Sequence, residues 1–108
     1  VKVFLDECVD RRLAPLIVGH DVKTSRQMVW TGVKNGELLR RVAAESFDAF
    51  VTVDRNLAFQ QNVEAQPFAV LVLRAKTNRL RDLSGLIPNL LAALPMAKAG
   101  EVISIDQN

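Results

Sequence analysis

The sequence predicts an α/β protein with a three-layer α/β/α arrangement around a central, mostly parallel sheet. Three observations predict it. Residues 1–5, 49–53 and 68–73 are short, nearly continuous apolar runs rich in valine, leucine and phenylalanine, as strands buried on both faces read. The stretches between them carry apolar residues at helical spacing. The two kinds of segment alternate, which is the pattern of a parallel sheet covered on both sides by helices.

Taken in order, residues 1–5 form a strand with Asp6 at its C-terminal end. Residues 9–18 hold Leu13, Leu16 and Ile17 at helical spacing; Pro15 is expected to kink or shorten that helix, and Gly19 to stop it. Residues 20–24 read as a second strand. Residues 25–34, around Met28, Val29 and Trp30, read as a loop because of Gly32 and the polar flanks. Asn35 is placed to cap a helix with Leu38, Leu39, Val42 and Ala43 on its apolar side. Glu37 falls in the first turn, where the helix dipole favours a carboxylate, and Arg40 and Arg41 share the exposed side. Residues 49–53 are a strand ending at Asp54, and 55–62 a short helix. After Pro67 comes the strand 68–73, then Thr77 and Asn78 as loop and cap. Residues 80–97 form a long helical pattern through Leu83, Leu86, Ile87, Leu90, Leu91 and Leu94, kinked at Pro88 and ended early at Pro95. Gly100 resets the chain for a last strand, 101–105.

Composition narrows the class. A chain of 108 residues, 49% apolar and 24% charged, matches one folded domain over residues 1–108 and speaks against disorder. The lone cysteine, Cys8, cannot form an internal disulfide, which fits a cytoplasmic protein. No apolar run reaches the ~18–20 residues of a membrane span, and residues 1–5 run into acids too soon for a secretory signal. A net charge of +2 is a mild bias, but its distribution is uneven: acids thin out after Glu64, while Arg74, Lys76, Arg79 and Arg81 cluster. The cluster reads equally as a phosphate-binding patch and as a solvated loop and helix start.

The acids carry the functional reading. Ligands of open α/β sheets sit beyond the carboxyl ends of the strands, and two of the clearest strands end in aspartate, Asp6 and Asp54. Alone, either aspartate reads first as a turn former or helix cap. If their strands are parallel neighbours, two carboxylates meet at one sheet edge, and their repulsion is relieved by a raised pKa or a divalent cation. Glu37 is the candidate for a third oxygen ligand. Such a set suits Mg²⁺ or Mn²⁺ and not zinc, for which one His and one Cys far apart are a poor supply. The chemistry such an ion supports is phosphodiester hydrolysis.

The runs Val3-Phe4-Leu5-Asp6-Glu7, Gly19-His20-Asp21-Val22, Asn35-Gly36-Glu37-Leu38-Leu39 and Val51-Thr52-Val53-Asp54-Arg55-Asn56-Leu57, in that order, resemble the small PIN-like domains, relatives of the VapC-like toxin ribonucleases. The tail, Val70-Leu71-Val72-Leu73-Arg74-Ala75 followed by Asn78-Arg79-Leu80 and a leucine-rich helix, is similar to the short PIN-like branch. The resemblance covers nearly the whole chain. It implies a metal-dependent endoribonuclease with Asp6, Glu37 and Asp54 as catalytic metal ligands, RNA as substrate, a small antitoxin as partner and a possible homodimer. Arg55, Arg74 and Arg79 are the candidates to hold substrate phosphate; Arg55 and Arg74 read equally as neutralising the acids. The chain departs from fuller PIN domains after the strand 68–73, where no acid follows until Asp82 and Asn78 is the candidate to offer an oxygen in its place.

Two rival readings stay open. One is a non-catalytic RNA- or protein-binding module on the same fold. The other is a response-regulator-like phosphoacceptor domain, which needs a lysine after a late strand; Lys76 is the candidate, and the strand order is not expected to fit. Among the remaining residues, Glu7 reads as a secondary ligand or a helix start, Asp10 as a surface residue and Thr52 as a packing residue. Cys8 reads as buried and inert, His20 as without an acidic partner, and Trp30 as either a core plug or a stacking surface.

Overall fold

A computed structural model describes residues 1–107, with Asn35 described by its backbone alone. Five strands, β1 (Lys2–Leu5), β2 (Asp21–Thr24), β3 (Ala49–Thr52), β4 (Ala69–Leu73) and β5 (Val102–Ile105), form one sheet in the order 2-1-3-4-5. Every pairing is parallel. The helices are α1 (Ser25–Met28), α2 (Asn35–Ala44), α3 (Leu57–Gln60), α4 (Leu80–Ser84) and α5 (Ile87–Ala93), with 3₁₀ segments at Arg11–Leu16, Val63–Ala65 and Leu94–Met96. The architecture is the three-layer α/β/α sandwich that the alternation of runs implied.

The two faces of the sheet explain why the strands are apolar throughout. Side chains alternate across a strand. Val3, Leu5, Val51, Leu71 and Leu73 pack on one face under Leu13, Leu83, Leu86 and Leu90. Phe4, Phe50, Val70 and Val72 pack on the other under Leu38, Leu39 and Val42. Trp30 is only 8% exposed and joins this second layer, its ring centroid 5.5 Å from Phe4. Of the two roles open to it, the structure assigns the core plug.

The helices are shorter than their patterns. Around Pro15 the segment 9–18 becomes a 3₁₀ helix, Arg11–Leu16, as a ring without an N–H would demand. The pattern 80–97 breaks at Gly85, and Pro88 lies in the first turn of α5, where a missing N–H costs nothing, instead of kinking a continuous helix. The expected loop 25–34 contains α1, held by a capping box in which Thr24 Oγ1 accepts from the Gln27 N–H and Gln27 Oε1 accepts from the Thr24 N–H. Lys34, not Asn35, is the N-cap of α2; the side chain of Asn35 lies outside the described residues.

The strand order corrects one expectation. The order 2-1-3-4-5 is that of the flavodoxin-like doubly wound sheet, to which receiver-type phosphoacceptor domains also belong. Order therefore does not speak against that reading. The candidate lysine, Lys76, follows β4, the fourth of the five strands.

Candidate functional site

β1 and β3 are hydrogen-bonded neighbours, with Leu5 opposite Val51, and the Asp6 N–H continues the ladder to the Val51 carbonyl at 2.9 Å. Asp6 and Asp54 therefore leave the sheet at the same edge. That edge is the topological switch point, because β2 lies on one side of β1 while β3, β4 and β5 lie on the other. A cleft of about 480 Å³ opens there, lined by Asp6, Glu7, Cys8, Lys34, Leu38 and Asp54 with apolar neighbours.

The two aspartates are joined through one buried hydroxyl. Thr52 Oγ1 donates to Asp6 Oδ2 at 2.8 Å and accepts from the Asp54 N–H at 3.0 Å. Asp6 Oδ2 also accepts from the Cys8 thiol at 3.2 Å, and Oδ1 from the Glu7 N–H at 2.8 Å. Asp54 Oδ1 accepts from the Asn56 N–H at 2.9 Å, which fixes the turn after β3. Thr52 is completely buried and does pack, but its hydroxyl is also the link of the site. A hydroxyl in an otherwise apolar strand, two residues before an aspartate, was the available signal, since a buried hydroxyl requires a partner.

Cys8 is exposed, against the expectation of burial, because the turn after β1 carries it off the sheet. Its Sγ is nevertheless tucked against Asp6 and Thr52. Burial of the sulfur raises the thiol pKa, the Thr52 hydrogen bond opposes the rise, and the charge of Asp6 adds to it. Glu7 lines the cleft, and its Oε1 accepts from the Gly32 N–H at 2.9 Å, tying the 25–34 segment to the site. Lys34, which sequence reasoning passed over, puts an exposed cation at the rim.

Glu37 stands apart. It occupies the first turn of α2 as expected, but it is exposed, pairs with Arg41 at 3.0 Å and Arg40 at 3.8 Å, and is not among the residues lining the cleft. Among the described residues no three His, Cys, Asp or Glu side chains gather into a metal-binding group. Asn78 is exposed and outside the cleft lining. Asp82 receives the Thr77 hydroxyl at the start of α4.

The arginines fall in two groups. Arg55 directly follows Asp54, and Arg74 directly follows β4 at the same edge, its N–H held by the Ile105 carbonyl at 2.9 Å. Arg79 is the N-cap residue of α4. All three are exposed and form no ion pair among the described residues. Asp10 caps the 3₁₀ segment, and the Arg12 guanidinium beside it lowers its carboxyl to about 2, the surface role expected of it. His20 precedes β2 and so lies at the opposite edge of the sheet from Asp6.

Two carboxylates in one cleft, whose lining holds no imidazole, are a donor set suited to Mg²⁺ or Mn²⁺, which bind through one or two protein carboxylates and leave coordination positions for water and phosphate. They do not form a closed protein cage. No helix is long and apolar enough to cross a membrane among the described residues. Compared with protein-family models, curated proteins and solved structures, the chain matches none of them, so the cleft itself carries the functional reading.

Proposed function

We propose that the protein is a Mg²⁺- or Mn²⁺-dependent ribonuclease of PIN-like type, working in the cytoplasm on single-stranded RNA. The observation that carries this reading is the coupling of Asp6 and Asp54 through Thr52 in one cleft at the switch point of a parallel sheet. When bound, the ion supplies a polarised phosphoryl oxygen and a water of lowered pKa. Asp6 and Asp54 hold it, and Thr52 fixes the orientation of Asp6. Arg55 and Arg74 flank the acids at the same edge and attract the phosphate backbone. Leu38 and Leu57 give the cleft apolar walls that limit water.

The test is cleavage of a single-stranded RNA with Mn²⁺ or with chelator, by the parent and by Asp6→Asn. The parent is expected to cleave only with metal, and Asp6→Asn to lose cleavage by at least about 100-fold while staying folded by circular dichroism. An Asp6→Asn protein that cleaves like the parent removes the reading. The position of Glu37 outside the cleft favours the second reading, a binding module with an incomplete acidic site. In that case the parent binds RNA without cutting it, and exchanging all three acids leaves binding in place.

A further inference from the structure

A second cleft, of about 350 Å³, opens on the other side of the Asp6–Glu7 turn, between the ends of β1 and β2. Asp6 and Glu7 line both clefts, so the two adjoin across the Asp6–Glu7 turn at the C-terminal edge of the sheet. The volume lies within the about 300–1,000 Å³ typical of small-molecule sites. Arg11 and Arg26 stand in the lining of the second cleft, both exposed and without an ion pair among the described residues. Asp10, the remaining acid of the lining, is occupied by Arg12. Ser25 is only 3% exposed, lines this cleft, and its Oγ has no hydrogen-bond partner. A native fold rarely leaves a buried hydroxyl unpaired, and such an orphan points to a missing partner.

We infer that this second cleft is the subsite for the nucleotide next to the scissile phosphate, and that it distinguishes RNA from DNA. The inference rests on the ribonuclease reading for what happens at Asp6, but not for the binding itself. Arg11 and Arg26 hold the phosphate of that nucleotide, for which a guanidinium supplies paired donors. Ser25 Oγ, both donor and acceptor, takes the 2′-hydroxyl, which is also both and which DNA lacks. A strand lying across the two clefts then presents one phosphate at Asp6 and Asp54 and the adjoining sugar at Ser25.

The experiment is fluorescence anisotropy of a labelled single-stranded RNA and the DNA of the same sequence, in chelator so that no cleavage occurs. Parent, Arg11→Ala/Arg26→Ala, Ser25→Ala and Lys98→Ala are compared, the last as a cation at the opposite edge of the sheet. Loss of the two arginines is expected to weaken RNA binding by about tenfold or more. It should also flatten the salt dependence by about 0.7 per phosphate contact removed. Ser25→Ala is expected to narrow the preference for RNA over DNA, and Lys98→Ala to change neither. A double arginine variant with the parent's thermal midpoint that binds RNA within about twofold of it overturns the inference, as does a parent that binds no RNA. If the arginine variant loses binding while the parent never cleaves with Mn²⁺, the cleft stands as an RNA-binding site and the ribonuclease reading falls, along with the placement beside a scissile phosphate.

Discussion

Thr52 Oγ1 contacts the Cys8 thiol and, more closely, makes both a bond to Asp6 Oδ2 and one from the Asp54 N–H, inside a strand with no exposure at that position. Thr52→Val keeps the shape and removes both. A hydrogen bond to a charged group contributes about 1.5–3 kcal/mol, so urea unfolding is expected to show a loss of that size, along with loss of cleavage. An unchanged midpoint would mean the hydroxyl does not hold the site together. Cys8 reports on the same place. Its thiol pKa is raised chiefly by burial, with the Asp6 charge adding to it, so the folded protein favours the protonated form. Alkylation should therefore be slow at neutral pH and accelerate at higher pH than for an ordinary thiol of about 8.5. Asp6→Asn should move that midpoint down. Asp6 and Asp54 were legible because each closes a clear apolar strand. Glu37 was legible as a helix-start acid but not as a surface pair, since the competing partners Arg40 and Arg41 sit on the same helix at i+3 and i+4 and capture it.

Elements were read well where one signal dominated and poorly where two competed. The strands have no rival pattern and appear within a residue of their expected bounds. The leucine repeat over 80–97 is real, since Leu83, Leu86, Leu90 and Leu94 all reach the core, yet Gly85 and the prolines divide it. α1 was missed because Gly32 and the polar flanks outweighed the Thr24-x-x-Gln27 capping box. That element ends at Val29, which takes φ +59 as its C-cap and is 86% exposed. A β-branched residue is strained in this left-handed region, where glycine is not. Val29→Gly is expected to stabilise by about 1 kcal/mol in chemical denaturation. A destabilised variant would show that the exposed valine contributes more by contact than it costs by strain.

Across the whole molecule, the alternation of apolar runs and helical spacing predicted the layered parallel sheet, but strand order is not written in any local pattern. It follows from which neighbours bury Phe4, Phe50 and Val70 together on one face and Leu5, Val51 and Leu71 on the other. That order places β1 beside β3 and brings two separate strand-end aspartates to one cleft. The most direct test is titration calorimetry of Mn²⁺ into the parent, Asp6→Asn, Asp54→Asn and Glu37→Gln. The expected result is binding by the parent that either aspartate substitution abolishes and that Glu37→Gln, whose carboxylate lies outside the cleft with its arginines, leaves in place. A parent that takes up no Mn²⁺, or an Asp6→Asn protein that binds it as the parent does, would contradict the shared metal site.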